Sequence, residues 1–165
     1  MDYCKKYIGL TCLCFSTIDP MKHLLEEVGW DGEKTQKARK ALSEMKKILT
    51  EFNDYPFQIS LKTAKDFAKS IENLGIGYDE SEITVFIDCR EPSEIKKFRD
   101  AGARAILITR PNMDSEHQDY SNDSDKNVND FKYDIVIHND GSKSDFEKKI
   151  RSFIKREKIY VCKWH

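Results

Sequence analysis

The sequence predicts an α/β fold of three layers, with a mostly parallel sheet between helices. Short apolar runs rich in β-branched residues alternate with stretches whose apolar residues recur every three or four positions. The succession strand, helix, strand over residues 83–109 has the spacing of a crossover unit, and a crossover joins parallel strands. A length of 165 residues suits one domain, 1–165, able to bury a core without disulfide or metal staples.

The elements follow in order. Asp2 to Tyr7 is short, charged and helix-compatible, and Gly9 ends it before the strand-like run Leu10 to Ile18. Asp19-Pro20 opens a helix with Met21, Leu24, Leu25 and Val28 on its inner face and Gly29 at its stop. From Glu33 to Phe52, Ala38, Ala41, Leu42, Met45, Ile48 and Leu49 mark an amphipathic helix among many lysines, a solvated face in its own right. Asn53 to Pro56 breaks it, and Leu61 to Leu74 forms the next helix, closed by Gly75 and Gly77. Ile83 to Ile87 is the strongest strand. Pro92 to Asp100 is a helix with Ile95 and Phe98 inward, Gly102 closes it, and Ala105 to Thr109 is a second apolar strand.

Residues 111–132 are almost entirely polar and read as a lid or insertion. A strand from Tyr133 to His138, a turn at Asn139-Asp140-Gly141 and a helix from Ser144 to Lys155 follow, with Phe146, Ile150, Phe153 and Ile154 inward. Residues 156–165 form a tail or one last strand, Ile159 to Trp164.

Composition narrows the function. Lys and Arg total 28 against 29 for Asp and Glu, so no basic field exists to hold nucleic acid nonspecifically. No run approaches the roughly 20 apolar residues of a membrane span, and no signal-peptide core follows Met1. Five cysteines in largely apolar runs fit a reducing, cytoplasmic setting. Cys12 and Cys14 share a strand face without the C-x-x-C spacing of zinc or redox pairs, and no metal site is expected. The four histidines do not cluster, and no Ser or Cys stands near a base as in a hydrolase triad.

Open parallel sheets place ligands beyond the carboxyl ends of their strands, which puts Asp88, Arg90, Arg110 and Asn112 at the working edge. In order, Asp88-Cys89-Arg90-Glu91-Pro92, Gly102, Thr109-Arg110-Pro111, Tyr133-Asp134 and Asn139-Asp140-Gly141 resemble the C-terminal half of P-loop deoxynucleoside monophosphate kinases and dephospho-coenzyme-A-kinase-like proteins. The likeness covers roughly residues 83 to 155. Trp30-Asp31-Gly32, the helix after it and Thr50 to Asp54 look like the middle region of that group, where the acceptor nucleotide is handled. The resemblance implies ATP and Mg²⁺ as cofactors of an active enzyme and a nucleotide as the small-molecule partner. It implies Asp88, Arg90 and Arg110 as catalytic residues, and Asp19, Trp30, Arg39 and Asn53 on the acceptor. Asn112, His117, Asp140 and Gly141 would lie toward the donor. Arginine forks match phosphate oxygens, and phosphoryl transfer depends on positioning and charge neutralisation.

The departure from that group is specific. Its members begin with a strand, G-x-x-x-x-G-K-[ST] and a helix, and this sequence contains no such loop. Without it the donor phosphates lose their principal cradle. The leading strand normally lies mid-sheet, so its absence is expected to expose strand edges that a homodimer partner, another chain or residues 159–164 would cover. Two alternatives stand beside the kinase reading. One is an inactive nucleotide-binding or protein-interaction module on the same scaffold. The other is a rhodanese-like sulfurtransferase, suggested by Ile87 to Glu94, although no cysteine lies between Cys89 and Cys162 to open its active-site loop.

Overall fold

A computed structural model describes residues 12–73, 83–110 and 131–157 of the chain. The helix expected at residues 2–7, the polar stretch through residue 130 and the strand expected at 159–164 lie outside them. The described residues form two compact units, 12–89 and 90–157.

In the first unit, strand β1 (Cys12–Ser16) pairs in parallel with strand β2 (Thr84–Asp88), Cys12 opposite Thr84 and Ser16 opposite Asp88. Parallel strands need a long crossover, supplied here by helices α1 (Asp19–Glu27), α2 (Gln36–Asn53) and α3 (Tyr55–Asn73). Pro20 sits in the first turn of α1, where a missing N–H costs nothing. Thr35 caps α2, its hydroxyl accepting from the Ala38 N–H at 3.1 Å. Asp54 ends α2 in the left-handed conformation, φ 57°, and the chain turns at once into α3.

The second unit holds helix α4 (Pro92–Asp100), strands β3 (Ile106–Thr109) and β4 (Ile135–His138), and helix α5 (Lys143–Arg156). The strands pair in parallel, Ile106 opposite Ile135 and Thr109 opposite His138. Ile95, Phe98, Ala105, Ile137, Phe153 and Ile154 form its buried core. Asp134 fixes the amino end of the strand pair: its carboxylate accepts from the Ala105 N–H at 2.8 Å and from the Arg99 guanidinium at 2.9 Å. The same guanidinium donates to the Lys132 carbonyl and lies over the Phe131 ring.

The mixed α/β class and parallel pairing are observed, but the described strands form two separate two-stranded sheets instead of one. Among the described residues no strand occupies the remaining edges. Three local expectations are also corrected. Helix α3 begins at Tyr55, six positions before Leu61, because Pro56 falls within its first turn and initiates where an interior proline would break. Val28 lies beyond the last turn of α1 and is exposed. Ile48 is 62 % exposed, since the buried stripe of α2 runs through Ala38 and Lys46, with Leu49 half-buried about 100° around the helix from Ile48.

Ser142 and Asp145 close a capping box on α5, with the Asp145 N–H donating to Ser142 Oγ and the Ser142 N–H donating to Asp145 Oδ2, both at 3.2 Å; the Ser142 hydroxyl also donates to Asp145 Oδ2 at 2.6 Å. The Ser142 hydroxyl, with Lys148, holds the Asp145 carboxyl below its ordinary value. Arg156 and Arg104 do the same to Glu157 at the helix end. Depressed folded-state values mean stability that is present above the unfolded carboxyl range and lost as pH falls through the folded values. Thermal unfolding followed by circular dichroism should therefore show the midpoint dropping below about pH 4.5, with a shallower acid limb in Asp145→Asn. Asp134→Ala should lower stability by about 2 kcal/mol at neutral pH, since it strands the Ala105 N–H and Arg99; urea denaturation measures it.

Candidate functional site

The turn after β1 is built on Asp19. The Ser16 N–H donates to Asp19 Oδ2 at 2.7 Å, and Lys22, one helical turn on, donates to Asp19 Oδ1 at 2.6 Å. The Ser16 hydroxyl and the Thr17 N–H both donate to the Asp88 carbonyl at 3.0 Å, locking the carboxyl end of β1 to that of β2. Both Asp19 oxygens are thus committed, which makes it a positioning group for the strand-to-helix turn.

That turn forms one wall of a cleft of about 600 Å³, within the size range of small-molecule sites. Phe15 from the end of β1 lines it, with Asp19, Lys22 and Leu24 from α1 and Tyr55, Ile59, Ser60 and Thr63 from the first half of α3. The exposure of Leu24 follows from its place on this wall, whereas Met21, on the same helix, is fully buried. Ser60 is 1 % exposed, and its hydroxyl has no hydrogen-bond partner among the described residues.

Of the acceptor residues expected from the sequence, only Asp19 lines the cleft. Trp30 donates its indole N–H to the Glu33 carbonyl at 2.8 Å, and Arg39 donates to the Lys34 carbonyl at 3.2 Å. Trp30 thus closes the loop before α2 on itself, and Arg39 staples that loop to the first turn of α2. Asn53 is exposed at the last position of α2. Lys22, Tyr55, Ser60 and Thr63 were not among the expected site residues. The lysine was legible, three positions after a helix-opening aspartate, but Tyr55 and Ser60 were not, because the helix carrying them was expected to begin beyond them.

At the end of β2, Asp88 is exposed and its carboxylate has no hydrogen bond or ion pair among the described residues. In the second unit, Arg90 precedes α4 and is exposed, and Glu94 in the first turn of α4 is buried. The carboxyl edge of β3 and β4 is a polar cluster. Thr109 Oγ1 and His138 Nδ1 share a 2.8 Å hydrogen bond, the Asn139 N–H donates to the Thr109 carbonyl, and exposed Arg110 follows. Lys149 reaches from α5 to the His138 carbonyl and the Asp140 carboxylate, and its hydrogen bond holds the Asp140 carboxyl below the ordinary value. A Cβ on Gly141 would approach the Asp145 side chain to 3.2 Å, so glycine there leaves room for the capping box. Asn112 and His117 lie outside the described residues.

No protein family, curated protein or solved structure matches the sequence. Among the described residues no helix is long and apolar enough to cross a membrane, and no three metal-ligating side chains cluster.

Asp19→Ala would leave the Ser16 N–H and Lys22 without their shared acceptor at a partly buried turn. The expected loss is about 2 kcal/mol in denaturant unfolding, and Asp19→Asn, which keeps one acceptor oxygen, should recover part of it.

Proposed function

We propose that the chain is a nucleotide-kinase-like protein that binds a nucleoside monophosphate. One observation carries the reading: charged and hydrogen-bonding residues follow the carboxyl end of every described strand, and every described strand pairs in parallel. Asp19 follows β1, Asp88 and Arg90 follow β2, Arg110 follows β3, and Asp140 follows β4. Open parallel sheets bind ligands at that edge. In this reading Arg90 and Arg110 grip phosphate oxygens through their planar forks.

The residues present do not fit a MgATP site of their own. The sequence has no G-x-x-x-x-G-K-[ST] loop to supply the N–H cradle, the lysine and the metal-binding hydroxyl. Phosphoryl transfer from ATP would require that loop from elsewhere, and no step through it is assigned to these 165 residues. What they retain is the acceptor side: binding and orienting a monophosphate.

Calorimetric titration of the chain with a panel of deoxynucleoside monophosphates and with MgATP tests this. Monophosphate binding is expected, weakened about 10- to 100-fold in Arg90→Ala through loss of a charge-assisted hydrogen bond, with MgATP silent. Monophosphate affinity unchanged in Arg90→Ala and Arg110→Ala would overturn the reading in favour of a protein-interaction module.

A further inference from the structure

We infer that the cleft of the first unit recognises an uncharged, ring-bearing group through the buried Ser60 hydroxyl, and that it excludes phosphate. The choice of a nucleoside as that group rests on the reading above; the site itself rests on the following geometry.

Hydroxyls inside helices ordinarily donate back to a carbonyl one turn earlier. Thr50 does so to the Lys46 carbonyl at 2.8 Å and Ser70 to the Phe67 carbonyl at 2.7 Å. Ser60, in the same helix as Ser70, does not, although it is 1 % exposed. A buried donor left unpaired costs folding free energy, and native structures keep few of them. This one sits in the wall of a 600 Å³ cleft, where a bound group can supply the missing acceptor.

The rest of the wall sets the ligand's character. Phe15, Tyr55 and Ile59 present flat and apolar surface suited to a ring. The titratable lining comprises the carboxylates of Asp19, Glu26 and Glu27 against the ammonium of Lys22 and the imidazole of His23, which lies 3.3 Å from the Glu26 carboxylate. That ammonium is already paired with Asp19 at 2.6 Å. A net negative cleft repels phosphate and leaves it no unpaired lysine or arginine to contact. A neutral heterocycle with a hydrogen-bond acceptor meets neither obstacle.

The experiment titrates the full chain with the four deoxynucleosides, which carry no phosphate, by calorimetry and by thermal shift. At least one is expected to bind, and Ser60→Ala should weaken it about three- to tenfold, the range of one neutral hydrogen bond. The unliganded midpoint of Ser60→Ala should be unchanged or higher, because the substitution removes an unpaired buried hydroxyl; a structural role would lower it. Glu26→Gln with Glu27→Gln should leave nucleoside affinity intact while narrowing any discrimination against the monophosphate. Absence of nucleoside binding, or binding indifferent to Ser60→Ala, overturns the inference. Monophosphate binding that depends on Arg90 but not on Ser60 would sink the inference and leave the proposed function standing. Nucleoside binding that depends on Ser60, with monophosphate affinity indifferent to Arg90, would do the reverse.

Discussion

Parallel pairing governs how this chain is built. Two parallel strands cannot be joined by a tight turn, so each pair requires a long excursion between its members. Between β1 and β2 that excursion is three helices, two of which return to the carboxyl end of β1 and enclose the cleft. The Asp88 carbonyl accepts from both the Ser16 hydroxyl and the Thr17 N–H, so the pairing is clamped at the end where the cleft opens. Loss of register there would move Phe15 and Asp19 together, since a slip of one residue reverses every side chain of a strand.

Two aspartates do comparable work at opposite ends of their strands. Asp19 accepts from a backbone N–H and a lysine just past the carboxyl end of β1. Asp134 accepts from a backbone N–H and an arginine just before the amino end of β4. Each ties an irregular turn to a cation, satisfying an N–H that neither helix nor ladder can reach. The difference in position matters for function. With the amino end of β3 and β4 fixed by Asp134, the carboxyl end is left to Thr109, His138 and Arg110. With Asp19 spent on its turn, Ser60 is left as the buried hydroxyl of the cleft wall without a partner among the described residues.

Much of this was legible in the residues. Pro92 and Gly102 bracket a helix that runs over the expected span, Pro92–Asp100, and the apolar runs locate all four described strands to within a few residues. The limits have physical causes. Pro56 signals either a break or a first turn, and the choice depends on Asp54 adopting a left-handed conformation, which sequence does not announce. That one ambiguity hid Tyr55, Ile59 and Ser60. Trp30 and Arg39 were expected at a ligand because their region resembles the acceptor-handling part of the kinase group, yet Trp30 donates to the Glu33 carbonyl of its own loop and Arg39 to the Lys34 carbonyl just before its helix. A donor's type can be read from sequence; whether a local acceptor has already claimed it cannot.

The near balance of 28 basic and 29 acidic residues conceals an uneven distribution. Around the cleft of the first unit, three carboxylates face Lys22, already paired with Asp19, and His23, already beside Glu26. Beyond β3 and β4 in the second unit, Arg110 and Lys149 stand against Asp140, whose carboxylate Lys149 holds. An anion approaching the first meets repulsion, and one approaching the second meets arginine. Screening acts unequally on the two, because exposed charges such as Arg110 weaken within a Debye length of about 8 Å at physiological salt, whereas a hydrogen bond to a hydroxyl as buried as Ser60 does not. Rising salt should thus weaken the attraction of an anion to Arg110 first and leave a hydrogen bond at Ser60 in place.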